Sequence, residues 1–220
     1  MVAVIFDMDG VLIDSNPTHA AVWIEYLTNL GLPNEGIDTW MAGKRNDQIM
    51  RILLGPDAPE DLIFSHGAAK EALFRQRMAP QLEACLMPGL RPFLDSLHGL
   101  PIGLGSNAEP ANIDFLLDSA GLRTRFHAIV DGHQVQNPKP APDIYQKVAR
   151  NLGVAPADCL IFEDSPSGIR AALAAGARVV GVERSGRQLD GPELTIRDFT
   201  DPALPPFLAS LQPAAPAPRL

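Results

Sequence analysis

VAVIFDMDGVLIDS, residues 2–15, is the stretch that decides the fold. Val2 to Phe6 is a continuous β-branched and aromatic run, the pattern of a strand covered on both faces. Asp7 then emerges at its carboxyl end, the edge at which open α/β sheets bind ligands. Asp7 and Asp9 are two residues apart, so a period of two keeps both carboxylates on one side, and Gly10 allows a tight turn just after them. Carboxylates this close repel unless a cation or shared proton intervenes, which points to a hard divalent ion with oxygen ligands, most naturally Mg²⁺. A carboxylate on such an ion can also attack phosphorus. Taken alone, DxDG fits a solvated or helix-capping turn equally well.

Outward from this strand, residues 17–80 carry helical patterns in HAAVWIEYLTNLGL, NDQIMRILLG and the stretch from PEDLIFSHGAAK to EALFRQRM, broken by Gly and Pro. From Met87 the pattern alternates. Helix PGLRPFLDSLHG precedes strand PIGLGSN, helix PANIDFLLDSAG, strand HAIVDG, helix PAPDIYQKVARNLG, strand CLIFED, helix SGIRAALAAG and strand RVVGVE. Such alternation predicts an α/β fold with a parallel, right-handedly wound sheet and helices on both faces. The first strand must join that sheet, so the helical block reads as an inserted cap. The expected division is a catalytic core of residues 1–16 and 81–201, a cap of 17–80 hinged near Ser15–Pro17 and Ala79–Pro88, and a weakly ordered Pro/Ala-rich tail of 202–220.

The net charge of −8 offers no footprint for nucleic acid, and no Lys/Arg run suggests an anionic membrane surface. The first apolar run is too short for a signal peptide and no basic residue precedes it; nothing approaches the length of a membrane span. A cytoplasmic location and a monomeric state are expected. Cys85 and Cys159 are too few and too far apart for a metal cluster, and both read as reduced core residues.

Three later elements fall at carboxyl ends of predicted strands. GLGSN brings Ser106 and Asn107 to one of them, where a hydroxyl and backbone N–H groups can hold phosphate oxygens. NPKPAPD presents Lys139 from a loop stiffened by prolines, and FEDSPSG ends a strand with Glu163 and Asp164 before a helix start. Singly, these read as a turn, a solvated lysine and a helix cap.

In this order, with DxDGVxxDS, KPAPD and EDSxxG, they resemble the motifs of the haloacid dehalogenase-like hydrolase superfamily over residues 1–16 and about 87–186. Within it the sequence is similar to the group of β-phosphoglucomutase and small sugar-phosphate phosphatases. The resemblance implies a Rossmann-like parallel core with strand order 3-2-1-4-5 and an inserted α-helical cap domain. It implies that Asp7 is the nucleophile, that Asp9 is the general acid and base, and that Lys139 neutralises the transferring phosphoryl group. Ser106, with Asn107 beside it, corresponds to the phosphate-binding position. Asp7, the backbone carbonyl of Asp9 and Asp164 correspond to the Mg²⁺ ligands, with Glu163 a ligand directly or through water.

The substrate is expected to be set by the cap. His19 stands where β-phosphoglucomutase carries a histidine that couples binding to cap closure, and Lys44 with Arg45, in MAGKRNDQI, resembles a cap loop that reaches the substrate and can bind a sugar acid or second anionic group. Trp23 and Trp40 read as cap core, and Asp14 as a brace for the turn into the cap. The mutase uses a Ser-Lys pair after its motif-two serine; Ala108 and Glu109 occupy those positions here, and Met41 replaces its cap-loop lysine. A carboxylate there repels a second phosphate. The expectation is therefore a Mg²⁺-dependent phosphatase acting on a sugar phosphate or sugar-acid phosphate through an aspartyl phosphate. A hexose-phosphate mutase is the first alternative, and a non-catalytic sugar-phosphate-binding protein the second.

Overall fold

A computed structural model describes residues 1–37 and 44–211; Trp40 and Met41 lie outside them. The strands are β1 (Ala3–Phe6), β2 (Ile102–Ser106), β3 (Ala128–Asp131), β4 (Cys159–Glu163), β5 (Arg178–Val182) and β6 (Leu194–Ile196). All pair in parallel, in the order β3-β2-β1-β4-β5-β6. This is the predicted order extended by one strand. The short segment ELTI between Pro192 and Asp198 shows too little periodicity to be read as a strand, yet Val180 to Val182 offer it a free edge.

Every residue of β1 is buried, and successive side chains enter different cores. Val4 and Phe6 face α5 (Leu90–Ser96) and α6 (Pro110–Ser119), in a cluster where Phe6 stacks on Phe162 at 5.2 Å and Phe93 on Phe199 at 4.8 Å. Ala3 and Ile5 face α7 (Asp143–Asn151) and α8 (Pro166–Ala174). In β2, a Cβ on Gly103 would meet Val148 at 2.4 Å, so this glycine admits the close approach of α7.

The insertion after β1 comprises, among the described residues, α1 (Asn16–Leu30), α2 (Asn46–Leu54) and α3 (Glu60–Met78). Trp23, Leu27, Ile49, Met50 and Ile63 form a small core of its own, with Trp23 placed as the sequence suggested. α3 passes through Gly67 unbroken, and that glycine admits the close approach of α2: a Cβ there would stand 3.3 Å from Asn46. The chain returns through a short helix, α4 (Leu82–Cys85), and the outgoing and returning segments are paired. Ile13 bridges Leu86, Asp14 N donates to Cys85 O at 2.8 Å, and Met87 N to Leu12 O at 2.9 Å.

The expected weak order from residue 202 is corrected for its first part. α9 (Leu204–Ser210) packs on the core with Leu204 and Leu211 buried. Pro205 and Pro206 fall in its first turn, where their missing N–H groups cost no helical hydrogen bond. Residues 212–220 lie outside the described residues. Cys85 and Cys159 are free thiols, and no described helix is long and apolar enough to cross a membrane.

Candidate active site

A parallel sheet delivers all its strand ends to one edge, and the predicted polar residues gather there. Lys139 is 7 % exposed and reaches across the ends of β1 and β4, where Nζ donates to Asp7 Oδ1 at 2.9 Å and Glu163 Oε1 at 2.6 Å. Its ammonium also lies 4.7 Å from the Tyr145 ring centroid. Burial weakens its hold on the proton, but Asp7 and Glu163 outweigh that and keep it charged. Ser106, at the end of β2, is buried and accepts a hydrogen bond from Ala108 N at 3.1 Å.

The negative charge here exceeds what one lysine balances. Burial pushes the Asp7 carboxyl up to about 7; Lys139 opposes that, while Glu163 and Asp9 add to it. Asp164 is likewise held well above the usual carboxylate range by burial and by the charges of Glu163 and Asp7. Asp7, Glu163 and Asp164 offer oxygens within 4.8 Å of one another, an all-oxygen set fitting a hard divalent cation. Glu163 is fully buried and its oxygens are already engaged: Oε1 accepts from Lys139 and from the Tyr145 hydroxyl at 2.8 Å, Oε2 from Ser165 N at 2.9 Å and Ser165 Oγ at 3.1 Å. Its place is behind Lys139. Gly10, at φ +76°, makes the turn that brings Asp164 close; a Cβ there would sit 2.1 Å from Asp164 Oδ2. Asn16 donates to that same oxygen at 3.0 Å, and Arg187 Nη2 to the Asp164 carbonyl at 2.9 Å.

Asp9 faces the insertion. Its Oδ1 accepts from Ser15 Oγ at 2.5 Å and lies 3.6 Å from His19 Nε2. Burial pushes this carboxyl up, but His19, Ser15 and Lys70 together outweigh it and hold it below its ordinary value. The His19 ring stacks on Phe74 at 3.8 Å, and its Nδ1 is 2.7 Å from Lys70 Nζ. Lys70, only 1 % exposed, donates to Glu71 Oε1 at 2.9 Å. Glu71 in turn accepts from Asn46 at 2.7 Å and from Asn112 of α6 at 2.6 Å, and Arg75 donates to Asn112 at 2.7 Å. A buried polar chain thus links α3 to α6 and, through His19, to Asp9.

A cavity of about 870 Å³ opens between the helical insertion and the sheet. It brings together Asp7, Asp9, Ser106, Asn107, Lys139 and Asp164 with His19, Lys44 and Arg45; Glu163 sits behind the wall. Arg45 lines the cavity but commits its guanidinium to Asp47 through two bonds of 2.9 and 3.0 Å. Asp14 braces the edge through Arg184 at 2.7 Å.

Sequence reasoning missed Lys70, Glu71, Asn112 and Tyr145. For Lys70 a signal existed, since Ile63, Gly67, Lys70, Phe74 and Met78 fall on one helical stripe, all buried. AAKEAL otherwise reads as a solvated face.

A family model for haloacid dehalogenase-like hydrolases matches residues 1–176, and the chain belongs to that family. It is 33 % identical over 192 residues to the fructose-1-phosphate phosphatase YqaB of Escherichia coli, covering 81 % of this chain and 94 % of that one. It is 30 % identical over 209 residues to the β-phosphoglucomutase of Bacillus subtilis, covering 91 % of each. Among solved structures, a family IA variant 3 hydrolase from Entamoeba histolytica superposes with a TM-score of 0.80 at 28 % identity, over 91 % of this chain and 94 % of that one.

Proposed function

We propose that this protein is a Mg²⁺-dependent phosphatase that hydrolyses a small sugar phosphate or sugar-acid phosphate through an aspartyl phosphate. The observation that carries the reading is the Asp7–Lys139 contact of 2.9 Å on the cavity floor, beside Ser106 and Asp164. Similarity to a fructose-1-phosphate phosphatase and to a β-phosphoglucomutase supports a phosphorylated sugar as substrate.

In the first step a carboxylate oxygen of Asp7 attacks phosphorus in line with the ester oxygen. The P–O(ester) bond breaks and Asp9, a carboxylate beside His19 and Lys70 before substrate enters, gives the leaving oxygen a proton that it takes up as the anionic ester binds. Lys139, the Ser106 hydroxyl and backbone N–H groups after β2 hold the phosphoryl oxygens. In the second step Asp9, now a carboxylate, takes a proton from water as that water attacks the aspartyl phosphate, releasing inorganic phosphate and restoring Asp7. Asp7, Asp164 and the Asp9 carbonyl would hold the Mg²⁺, which supplies positive charge to the transferring group. Closure of α1–α3 onto the site excludes bulk water, and His19 and Lys70 carry that closure to Asp9.

The mutase reading uses the same first step and draws support from the β-phosphoglucomutase similarity. Glu109 on the cavity wall disfavours it, since a mutase must hold a second phosphate. The full complement of Asp7, Asp9, Lys139 and Asp164 at the cavity argues against a non-catalytic binder.

The deciding experiment is phosphate release from sugar phosphates, sugar-acid phosphates and phosphoglycolate, with and without Mg²⁺. β-Glucose 1-phosphate with a trace of the bisphosphate is included and glucose 6-phosphate is monitored. Metal-dependent free phosphate supports the phosphatase; glucose 6-phosphate with little free phosphate would establish the mutase instead.

A further inference from the structure

In-line attack by Asp7 from the cavity floor sends the leaving group away from the sheet, towards α2 and α3. The cations that meet it there are already balanced. Arg45 holds Asp47 through the Nε–Nη2 edge of its guanidinium, and Lys70 holds Glu71 at 2.9 Å. Against Lys44, Arg45 and Lys70 stand Asp47, Glu71 and Glu109. Glu109 comes from the other side of the seam, just before α6, and lines the cavity. Its carboxylate faces α3: a Cβ on Gly67 would lie 4.0 Å from Glu109 Oε1. The charge of Glu109 is felt by both cations: it adds to the hold of Asp47 on the Arg45 proton, and with Glu71 and Asp9 it opposes the burial that lowers Lys70.

A second phosphate or a carboxylate on the leaving group would enter this balanced region beside Glu109 and leave water without gaining a counterion. Hydroxyl groups meet the opposite situation. Carboxylate and amide oxygens accept from them, and the Glu109 carboxylate and the side-chain amides of Asn46 and Asn107 line the same cavity. We propose that the cavity selects esters whose leaving group is an uncharged polyol, and that Glu109 rejects bisphosphates and sugar-acid phosphates by like-charge repulsion. This rests on the phosphatase reading and narrows its substrate class to neutral sugar monophosphates.

The test is a ratio of kcat/KM within two matched pairs: fructose 1,6-bisphosphate against fructose 1-phosphate, and 6-phosphogluconate against glucose 6-phosphate. In the wild-type protein with Mg²⁺ the charged member of each pair is expected to fall below about one tenth of its neutral partner. Glu109→Gln, which keeps shape and removes charge, should raise that ratio about tenfold, and Glu109→Asp should restore most of the discrimination. Asp47→Asn provides an independent check, because it releases Arg45 to meet an anion and should raise the ratio with Glu109 intact. Equal turnover of charged and neutral partners by the wild type, or ratios unmoved by both Glu109→Gln and Asp47→Asn, would overturn the proposal. Failure of the phosphatase reading looks different: no Mg²⁺-dependent phosphate release from any of the four esters or from p-nitrophenyl phosphate. The wild-type protein would then not consume them, and the same ratios, read as Kd by calorimetric titration, decide whether Glu109 discriminates by charge.

Discussion

Glu163 Oε1 accepts a hydrogen bond from Lys139 Nζ at 2.6 Å, shorter than the 2.9 Å contact from the same ammonium to Asp7. Glu163 therefore fixes where the lysine's charge stands. Asp164, next in the chain, turns outward to the cavity. Adjacent acids so oriented have separable roles. Glu163→Gln should lower kcat by about 10²-fold through misplacement of the Lys139 charge, with little change in the Mg²⁺ concentration for half-maximal rate. Asp164→Asn should raise that concentration markedly. Steady-state rates across a Mg²⁺ titration decide the matter, and a large shift in metal requirement for Glu163→Gln would return Glu163 to the ligand set.

Asp7 and Asp9 divide the chemistry between nucleophile and proton carrier. Asp7→Asn should abolish turnover with the circular dichroism spectrum unchanged. Asp9→Asn should reduce the rate by about 10²–10⁴-fold, the range of a lost general acid and base. Rapid-quench measurement of phosphoenzyme separates the two: none is expected with Asp7→Asn, and turnover in Asp7→Asn above background would refute covalent attack.

The core was legible because its signals are local. β1 is apolar throughout, each later strand is followed by an acid, hydroxyl or lysine loop, and a parallel sheet can only bring those ends together. What escaped notice depends on contacts between distant segments. Lys70 and Glu71 look like solvated helix residues until Trp23, His19, Asn46 and Asn112 are packed around them. Tyr145 looks like one more apolar residue of α7 until its hydroxyl meets Glu163. Arg45 and Asp47 are two apart in sequence, and only the folded start of α2 shows that their charges cancel.

Gly168 carries a prediction about the fit of α8 against the site. A Cβ there would stand 1.6 Å from Glu163 Oε1, on the side that holds Lys139. Gly168→Ala must displace either the start of α8 or the glutamate, so both thermal stability and kcat should fall. Normal activity with a lowered Tm would show that α8 gives way and Glu163 does not.

α9 tests the opposite combination. Leu204 is 2 % exposed and packs in the cluster that contains Phe199, away from the cavity lining. Leu204→Ala should cost about 2–5 kcal/mol of stability, the usual range for a truncated core leucine, with kcat unchanged at a temperature where the variant is folded. Urea denaturation followed by an assay at low temperature checks both halves. A loss below about 0.5 kcal/mol would mean that α9 contributes nothing to the core.

The buried pair in α3 gives the sharpest separation of stability from chemistry. Lys70 and Glu71 are 1 % and 4 % exposed, and burial opposes the charge on each. Removing Lys70 strands the Glu71 carboxylate between Asn46 and Asn112, so Lys70→Met should destabilise by about 3–5 kcal/mol, as expected for a broken buried pair. Lys70→Met with Glu71→Gln removes both charges, keeps an oxygen to accept from Asn112, and leaves Asn46 able to turn its amide over and accept from the new Nε2, so most of the loss should return. The contact of Lys70 with His19 is absent in both variants, so any fall in kcat that follows from a weakened link to Asp9 should persist in the double variant after stability is recovered. Recovery of stability and rate together would instead assign Lys70 a structural role alone.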